Sequence, residues 1–259
     1  MKYGGKLIHR VRDAHGSIEV VDGHGVRSLH FESAARQSAI DLMVPDRIEL
    51  AYLRSMLSAL LFVPKPKRIL LLGLGGGTLA RFFSRHFLDA EIVVVELRQA
   101  VVDIAQRYFL LEAAPSLSIH VMDANDFLRE HVSGDGGRPF DLLIVDIFDG
   151  EGPSVLLQET CFLYRLREVL SPEGVMALNL WAGDDTSWRP VQKGLRDVFG
   201  GYLGALPVPG RGNRICLAHR DPLQSLSRRA LVEVARDLER RLGFEFIRML
   251  DRIEFSASI

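Results

Sequence analysis

Residues 68–78 read RILLLGLGGGT, and this stretch decides the fold of the chain. Its first part, Arg68–Leu72, is almost wholly apolar, which is typical of a strand that is buried on both faces of a parallel sheet. Glycines follow at positions 73, 75, 76 and 77, and a helix is expected from there to about Phe87. Glycines let a backbone pass close beneath a ligand, and the free N–H groups of the following helix can face that ligand.

The chain after residue 78 repeats this alternation of strand and helix. Apolar runs predict further strands at 92–95, 117–121, 142–145 and 175–180, with helices between them. Strands that alternate with helices indicate a parallel sheet covered on both faces. The segments 202–206 and 214–218 are expected to close the sheet as a hairpin. We therefore predict an α/β, Rossmann-like fold with a mostly parallel, seven-stranded sheet and helices on both faces.

Residues 1–47 have a different pattern. Ser17–Val21 and Val26–Phe31 flank the sequence DGHG, which is typical of a β-hairpin. From Ile48 the apolar spacing becomes helical, and Pro64 ends this helical pattern. The sequence therefore predicts two parts, an N-terminal β-hairpin region over 1–47 and an α/β domain over 48–259.

Composition excludes several classes of protein. The 259 residues carry 32 Lys and Arg against 33 Asp and Glu, so the net charge of −1 offers no bulk attraction to nucleic acid or an anionic membrane. The two cysteines stand alone and the eight histidines are scattered, so neither a disulfide framework nor a metal site is expected. No apolar run reaches the roughly 18 residues that a membrane-spanning helix needs. We expect a cytoplasmic protein.

Acidic residues follow three of the predicted strands, at the edge where open α/β sheets bind ligands. Glu96 ends the second strand, where a carboxylate can accept both ribose hydroxyls of a nucleoside. Asp123 follows the third strand and can accept the exocyclic amine of adenine. Asp146 and Asp149 follow the fourth strand, where two carboxylates can hold an amine or a sulfonium and one can take an amine proton.

Each of these features also has a purely structural interpretation. The glycines can serve a tight strand-to-helix turn, Glu96 can be a solvated carboxylate, and Asp123 can cap a helix. Asp149-Gly150 resembles a turn. Nicotinamide and adenosyl compounds both suit the first two strand ends. The glycine spacing, which is not GxGxxG in register, the aspartate after the third strand and the terminal hairpin favour an adenosyl compound.

Three linked segments resemble a known family. They are ILLLGLGGG at 69–77, VVE at 94–96 and FDLLIVDIFDGEGP at 140–153. The sequence from about Gly25 to Ala218 is similar to the spermidine synthase (polyamine aminopropyltransferase) family, in particular to its bacterial spermidine-synthase-like branch. The resemblance implies the class I methyltransferase fold and a homodimer. It also implies transfer of an aminopropyl group from decarboxylated S-adenosylmethionine to an amine or polyamine, with release of methylthioadenosine.

The resemblance also implies roles for individual residues. Glu96 would hold the ribose of the donor, and Asp123 with the backbone of Ala124 would bind its adenine. Asp146 would orient the attacking amine and help to deprotonate it, and Asp149 would bind that amine. Gln37 is a further candidate for substrate binding. The glycine-rich loop would carry the donor on Gly73, Gly75, Gly76 and Gly77, and no metal is implied.

The loop after the fifth strand is a separate candidate for the acceptor site. Trp181, Asp184 and Asp185 combine an indole with carboxylates, a set that suits a polyamine through cation–π and ionic contacts. An exposed loop without a binding role is the equally weighted alternative for these residues.

Three positions depart from the family pattern. Gly76 stands where the family's loop usually carries an aspartate that pairs with the aminopropyl ammonium. Tyr52-Leu53-Arg54 replaces a Tyr-His-Glu segment, and Val208 replaces a tyrosine near the final hairpin. The nucleoside half of the site is thus expected to be kept and the polyamine half altered. Methyl transfer from ordinary S-adenosylmethionine, or binding of an adenosyl nucleoside without catalysis, are the alternative functions.

Overall fold

The strands and helices follow the predicted alternation after an N-terminal part that contains strands alone. The computed structural model describes residues 2–133, 137–149, 152–182, 185–221 and 227–256, with the backbone alone at 149, 152, 153 and 185–187. The strands are β1 (Lys6–Asp13), β2 (Gly16–Gly23), β3 (Val26–Phe31), β4 (Ser38–Asp41), β5 (Arg68–Leu72), β6 (Glu91–Glu96), β7 (Leu117–Val121), β8 (Phe140–Val145), β9 (Phe148–Asp149), β10 (Gly152–Pro153), β11 (Leu170–Trp181), β12 (Gly201–Pro207), β13 (Asn213–His219) and β14 (Glu254–Phe255). The helices are α1 (Ala51–Met56), α2 (Thr78–His86), α3 (Gln99–Tyr108), α4 (Ala124–Ser133), α5 (Thr160–Glu168), α6 (Asp185–Val198), α7 (Arg228–Leu242) and α8 (Phe246–Arg252). Two 3₁₀ turns complete the elements, at Leu57–Leu61 and Val155–Gln158.

The main sheet has the strand order β14-β12-β13-β11-β8-β5-β6-β7. Its five strands from β11 to β7 are parallel, and β13 runs antiparallel to both of its neighbours. The carboxyl ends of β5, β6, β7 and β8 therefore lie along one edge of the sheet. This arrangement brings the glycine-rich turn and the predicted acidic residues to the same edge, as the alternation of strands and helices requires.

The sheet has eight strands in the described part of the chain, which corrects the predicted number of seven. The additional strand, β14, pairs with β12 at the outer edge. A Cβ on Gly204 would lie 2.3 Å from the carbonyl oxygen of Glu254, so only a glycine lets the two backbones approach this closely. A strand of two residues has no periodicity, which is why the sequence pattern did not indicate it.

The N-terminal part is a four-stranded antiparallel sheet in the order β1-β2-β3-β4, which extends the predicted hairpin by two strands. The predicted hairpin corresponds to β2 and β3. Strand β1 is largely exposed and therefore lacks the alternation of a half-buried strand, and β4 is short. Ile18, Val20 and Leu29 of this sheet are fully buried in the same apolar core as α2 and α3.

Helices cover both faces of the main sheet, as predicted. Alternate side chains of β5 point to opposite sides, so Ile69 and Leu71 join one core and Leu70 and Leu72 join the other. The first core contains side chains of α2, α3, α7 and α8, and the second contains side chains of α4, α5 and α6. Among the described helices, none combines the length and the apolar character needed to cross a membrane.

Candidate active site

A cleft of about 250 Å³ opens at the carboxyl edge of the main sheet. Seven of the residues predicted for the site line it: Gln37, Gly73, Gly75, Glu96, Asp123, Ala124 and Asp146. Further lining residues, among them His15, Phe31, Tyr52 and Arg98, were not assigned to the site from the sequence. The named lining residues together come from the strand ends of the main sheet, from α1 and from the N-terminal part, so the cleft lies where the two sheets meet.

The turn after β5 needs glycine at two positions for different reasons. At Gly73 the backbone has a φ of +95°, and an added Cβ would lie 2.3 Å from the carbonyl oxygen of Asp146. The missing side chain therefore lets the ends of β5 and β8 meet at the cleft. Gly77 precedes the first residue of α2 with a φ of +74°, a left-handed conformation that L-residues with side chains rarely adopt.

Gly76 lies outside the lining of the cleft, although the sequence predicted it to bind the donor. An added Cβ there would lie 2.5 Å from Ser38 Oγ and 2.9 Å from Phe109 Cδ1. The N-terminal sheet, through the first residue of β4, thus occupies the space that a side chain at position 76 would need. Gly77 likewise faces Leu111 and does not line the cleft.

Glu96 ends β6 and is 8% exposed. Its two carboxylate oxygens accept hydrogen bonds from the backbone N–H groups of Leu74 and Arg98, each at 3.0 Å. Burial raises the pKa of Glu96, while the backbone N–H groups and the Arg98 charge act in the opposite direction. The carboxylate is therefore held in one orientation at the strand end, the position from which it can accept hydrogen bonds from a ribose.

Arg98 fastens the N-terminal sheet to this side of the cleft. Its guanidinium donates to both carboxylate oxygens of Asp13, at 2.8 and 3.0 Å, and to the carbonyl oxygen of Gly16. The same group lies over the ring of Phe31, 4.9 Å from the ring centroid. A bidentate, largely buried pair of this kind holds two elements in a defined geometry, so the N-terminal sheet forms a wall of the cleft.

Asp123 combines a structural role with a place in the cleft. Its Oδ1 accepts hydrogen bonds from the backbone N–H groups of Asn125 at 2.8 Å and Asp126 at 3.2 Å, the geometry of a helix N-cap for α4. The alternative interpretation from the sequence is therefore correct for one carboxylate oxygen. Because Asp123 and Ala124 also line the cleft, binding of adenine at this position stays a prediction.

Asp146 follows β8, is half-buried and lines the cleft. Asn179 Nδ2 donates to its Oδ1 at 2.8 Å. Burial raises the pKa of the Asp146 carboxyl, and the hydrogen bond from Asn179 opposes this rise. A carboxylate with a raised pKa accepts a proton more readily than an ordinary one, which suits a general base.

Tyr52 and Asn179 are site residues whose contacts were not predicted. Tyr52 donates to the carbonyl oxygen of Gln37 at 3.2 Å, and burial together with the Asp146 charge holds its pKa well above the ordinary value. Asn179 is 2% exposed within β11, where it interrupts an otherwise apolar run. A buried amide in a central strand needs a polar partner, and this was the signal in the sequence that could have identified Asn179.

The remaining candidates for the acceptor site are less well placed or not described. Trp181 ends β11, is 47% exposed and does not line the cleft. Asp184 lies outside the described residues, and for Asp149 and Asp185 only the backbone is described. Within the described ranges, no group of histidine, cysteine and acidic side chains could hold a metal ion.

Comparison with known proteins identifies the family. Residues 51–181 match the model of the spermine/spermidine synthase domain. The polyamine aminopropyltransferase of Chromobacterium violaceum is 32% identical over 243 residues, which cover 93% of this chain and 91% of that protein. The chain belongs to the spermine/spermidine synthase family. The family resemblance that the segments at 69–77, 94–96 and 140–153 indicated is thereby confirmed.

Solved structures in and near the spermine/spermidine synthase family confirm the class I methyltransferase-like fold. A probable spermidine synthase from Corynebacterium glutamicum superimposes with a TM-score of 0.71 at 21% identity, over 91% of this chain and 87% of that one. Human methyltransferase-like protein 13 in complex with SAH gives a TM-score of 0.65 at 30% identity, over 75% of this chain and 90% of that one.

Proposed function

We propose that this protein transfers an aminopropyl group from decarboxylated S-adenosylmethionine to an amine of the polyamine class. The observation that carries the proposal is the position of Asp146. This half-buried carboxylate lies in the same cleft as Glu96 and Asp123, at the carboxyl edge of the sheet. A nucleoside bound at Glu96 and Asp123 would extend its sulfonium arm toward Asp146. The family membership of the chain supports the same chemistry.

The reaction is a direct displacement. The amine nitrogen forms a bond to the aminopropyl carbon next to the sulfonium, the carbon–sulfur bond breaks, and its electron pair stays on sulfur in the methylthioadenosine that leaves. The nitrogen loses one proton, which Asp146 accepts. The protein contributes orientation of the two reactants and a negative charge beside the cationic centre. Asn179 holds the accepting carboxylate in place through a hydrogen bond of 2.8 Å.

Asp146 also favours the decarboxylated donor. The donor's tail carries an ammonium and no carboxylate, so a negative charge in the cleft attracts it and repels the tail carboxylate of ordinary S-adenosylmethionine. In this chain position 76 is a glycine and contributes no charge to that selection. Ser38 and Phe109 occupy the space that a side chain there would need. We infer that donor selection rests on Asp146 and on its neighbours in the cleft.

Methyl transfer from S-adenosylmethionine is the second candidate, and Gly76 favours it. Without an acidic residue in the loop, a donor carboxylate meets less repulsion there and can face the N-terminus of α2. The human methyltransferase-like structure, at 30% identity, shows that related chains of this fold include methyltransferases by name. Aminopropyl transfer remains the better supported function because the polyamine aminopropyltransferase match covers nearly the whole chain.

The remaining expectations complete the proposal. We propose a cytoplasmic homodimer that uses no metal and binds no nucleic acid. The exposed strand β1, with Leu7 and Ile8 on its surface, offers an edge for a second copy of the chain. Light scattering of the purified protein across a concentration series measures its mass directly, and a monomer at all concentrations would contradict the dimer.

The deciding experiment is calorimetric titration with decarboxylated S-adenosylmethionine, S-adenosylmethionine and methylthioadenosine, followed by product analysis with a panel of diamines and polyamines. Preference for the decarboxylated donor, with methylthioadenosine as product, is the expected result. Preference for S-adenosylmethionine, with S-adenosylhomocysteine as product, would establish methyl transfer instead. Tight binding of methylthioadenosine with no product from any amine would identify a binding protein without catalysis.

A further inference from the structure

Three polar side chains form a line across three neighbouring strands of the main sheet. Asn213 on β13 donates through Nδ2 to Oδ1 of Asn179 on β11, at 3.0 Å. Asn179 in turn donates through Nδ2 to Oδ1 of Asp146 at the end of β8, at 2.8 Å. Asn179 and Asn213 are 2% and 9% exposed, so both amides are removed from solvent.

The hydrogen bond from Asn213 determines which end of the Asn179 amide faces Asp146. A side-chain amide has one oxygen that accepts and one nitrogen that donates. Because the oxygen of Asn179 accepts from Asn213, its nitrogen is left to face the carboxylate. The opposite orientation would place two nitrogens together at one end and two oxygens together at the other, and both hydrogen bonds would be lost.

The strand around Asn179 gives no packing reason for an amide. On the face of β11 that carries Asn179, the preceding side chains Val175 and Ala177 are fully buried in the apolar core. A buried amide without polar partners is unfavourable by several kcal/mol, and an apolar side chain would fill this position without that cost. The amide therefore has a function that depends on its two partners, of which Asp146 alone lines the cleft.

We propose that Asn179, oriented by Asn213, is a positioning residue that fixes one oxygen of Asp146 and keeps this carboxylate ionised for proton transfer. A donor to the charged form stabilises that form, so it offsets the effect of burial. The other carboxylate oxygen is then left for the amine. The inference rests on the proposed function for the origin of the proton, whereas the effect of Asn179 on Asp146 is a property of the protein alone.

The hydrogen bonds of the Asn179 side chain go to Asp146 and Asn213, and the other charged and titratable groups of the described cleft come from other elements. Tyr52 contributes a hydroxyl from α1, Glu96 and Arg98 contribute opposite charges from the end of β6, and Asp123 and His15 lie on the remaining walls. The glycine-rich turn contributes only backbone next to Asp146. A change in the titration of Asp146 in an Asn179 variant is therefore assigned to the lost amide.

The test is a pH titration of Asp146 itself. It is monitored by carbon-13 NMR on protein labelled at the aspartate carboxyl carbon. The resonance is assigned by its absence in Asp146→Asn. We expect Asn179→Leu to raise the titration midpoint by about one to two pH units, as for loss of a hydrogen bond to a charged group. Asn213→Ser should raise it less, because the Asn179 amide remains but is free to turn. Asn125→Leu, which removes an amide on α4 that donates nothing to Asp146, should leave it unchanged.

A second readout is the pH dependence of turnover. In Asn179→Leu the acid limb of the pH profile of kcat/KM should move to higher pH together with the titration midpoint. Affinity for methylthioadenosine should stay the same. An unchanged midpoint in folded Asn179→Leu or Asn213→Ser would overturn the inference. If Asn179→Leu does not fold, Asn213→Ser and Asn179→Gln, which retains an amide donor, provide the same comparison. A shifted midpoint in a protein that transfers no aminopropyl group would support the positioning role and contradict the proposed function.

Discussion

The two halves of the cleft hold their carboxylates in different ways. Asp123 accepts hydrogen bonds from backbone N–H groups two and three residues further along the chain, and Glu96 accepts hydrogen bonds from the backbone N–H groups of Arg98 and Leu74. Asp146 instead accepts a hydrogen bond from the side chain of Asn179, 33 residues away. The carboxylates of the proposed nucleoside half are thus held by backbone N–H groups, and Asp146 of the proposed acceptor half is held by a side chain that only the tertiary structure brings to it. Changes in the acceptor half should alter chemistry, whereas changes in the nucleoside half should alter binding.

The largest effect is expected at Asp146. Asp146→Asn should reduce kcat by about 10²- to 10⁴-fold, the usual contribution of a positioned proton acceptor. Affinity for methylthioadenosine should stay within a few-fold of the wild type, because the nucleoside contacts are unchanged. Steady-state kinetics and calorimetry measure the two quantities separately. Turnover at the wild-type rate would show that Asp146 is not the proton acceptor.

Substitution of Glu96 should mainly weaken nucleoside binding, whereas substitution of Asp146 should mainly reduce kcat. Glu96→Gln is expected to weaken methylthioadenosine binding about 10- to 100-fold, since hydrogen bonds to a charged acceptor contribute roughly 1.5–3 kcal/mol. The amide nitrogen would also face the N–H groups of Leu74 or Arg98. Asp103→Asn, at an exposed carboxylate on α3, is the matched control. Equal affinity in Glu96→Gln and the control would contradict a ribose-binding role.

The packing of the N-terminal sheet against the glycine-rich turn can be tested at Gly76. Introducing with Gly76→Asp the aspartate that the family resemblance implies should lower the free energy of unfolding by about 1–3 kcal/mol, because the new side chain overlaps Ser38 and Phe109. Adding Ser38→Gly should recover part of this loss by opening the space next to Cβ. Urea unfolding of the single and double variants gives both values. A single variant as stable as the wild type would mean that β4 moves aside easily.

The smallest effect concerns stability and pH. Since burial raises the pKa of Asp146 in the folded protein, its ionisation destabilises the fold as the pH rises through that pKa. Asp146→Asn should therefore be more stable than the wild type at neutral pH, and the difference should shrink on acidification. Thermal unfolding of Asp146→Asn and of the wild type between pH 4 and 8 measures this difference in stability. A difference that grows toward low pH would show that the carboxylate is stabilised by its partners more than it is penalised by burial.

The sequence by itself determined the α/β class, the order of the main elements and the strand ends where the ligand cleft lies. These features depend on short-range periodicity and on the conformational freedom of glycine, both of which are properties of neighbouring residues. For the same reason it indicated the family through three short segments. The prediction gave only part of the N-terminal sheet, because an exposed strand such as β1 leaves little pattern. It did not include the edge strand β14, because a strand of two residues has no periodicity.

Only the tertiary structure decided how these parts meet. The pairs Asn179–Asp146 and Arg98–Asp13 join residues 33 and 85 positions apart, and the crowding of Gly76 comes from a strand of the other sheet. Such contacts depend on strand order, register and the docking of the N-terminal sheet, which no local pattern encodes. The nucleoside half could therefore be outlined from the sequence, while the groups that hold Asp146 became visible only when the strands were placed side by side.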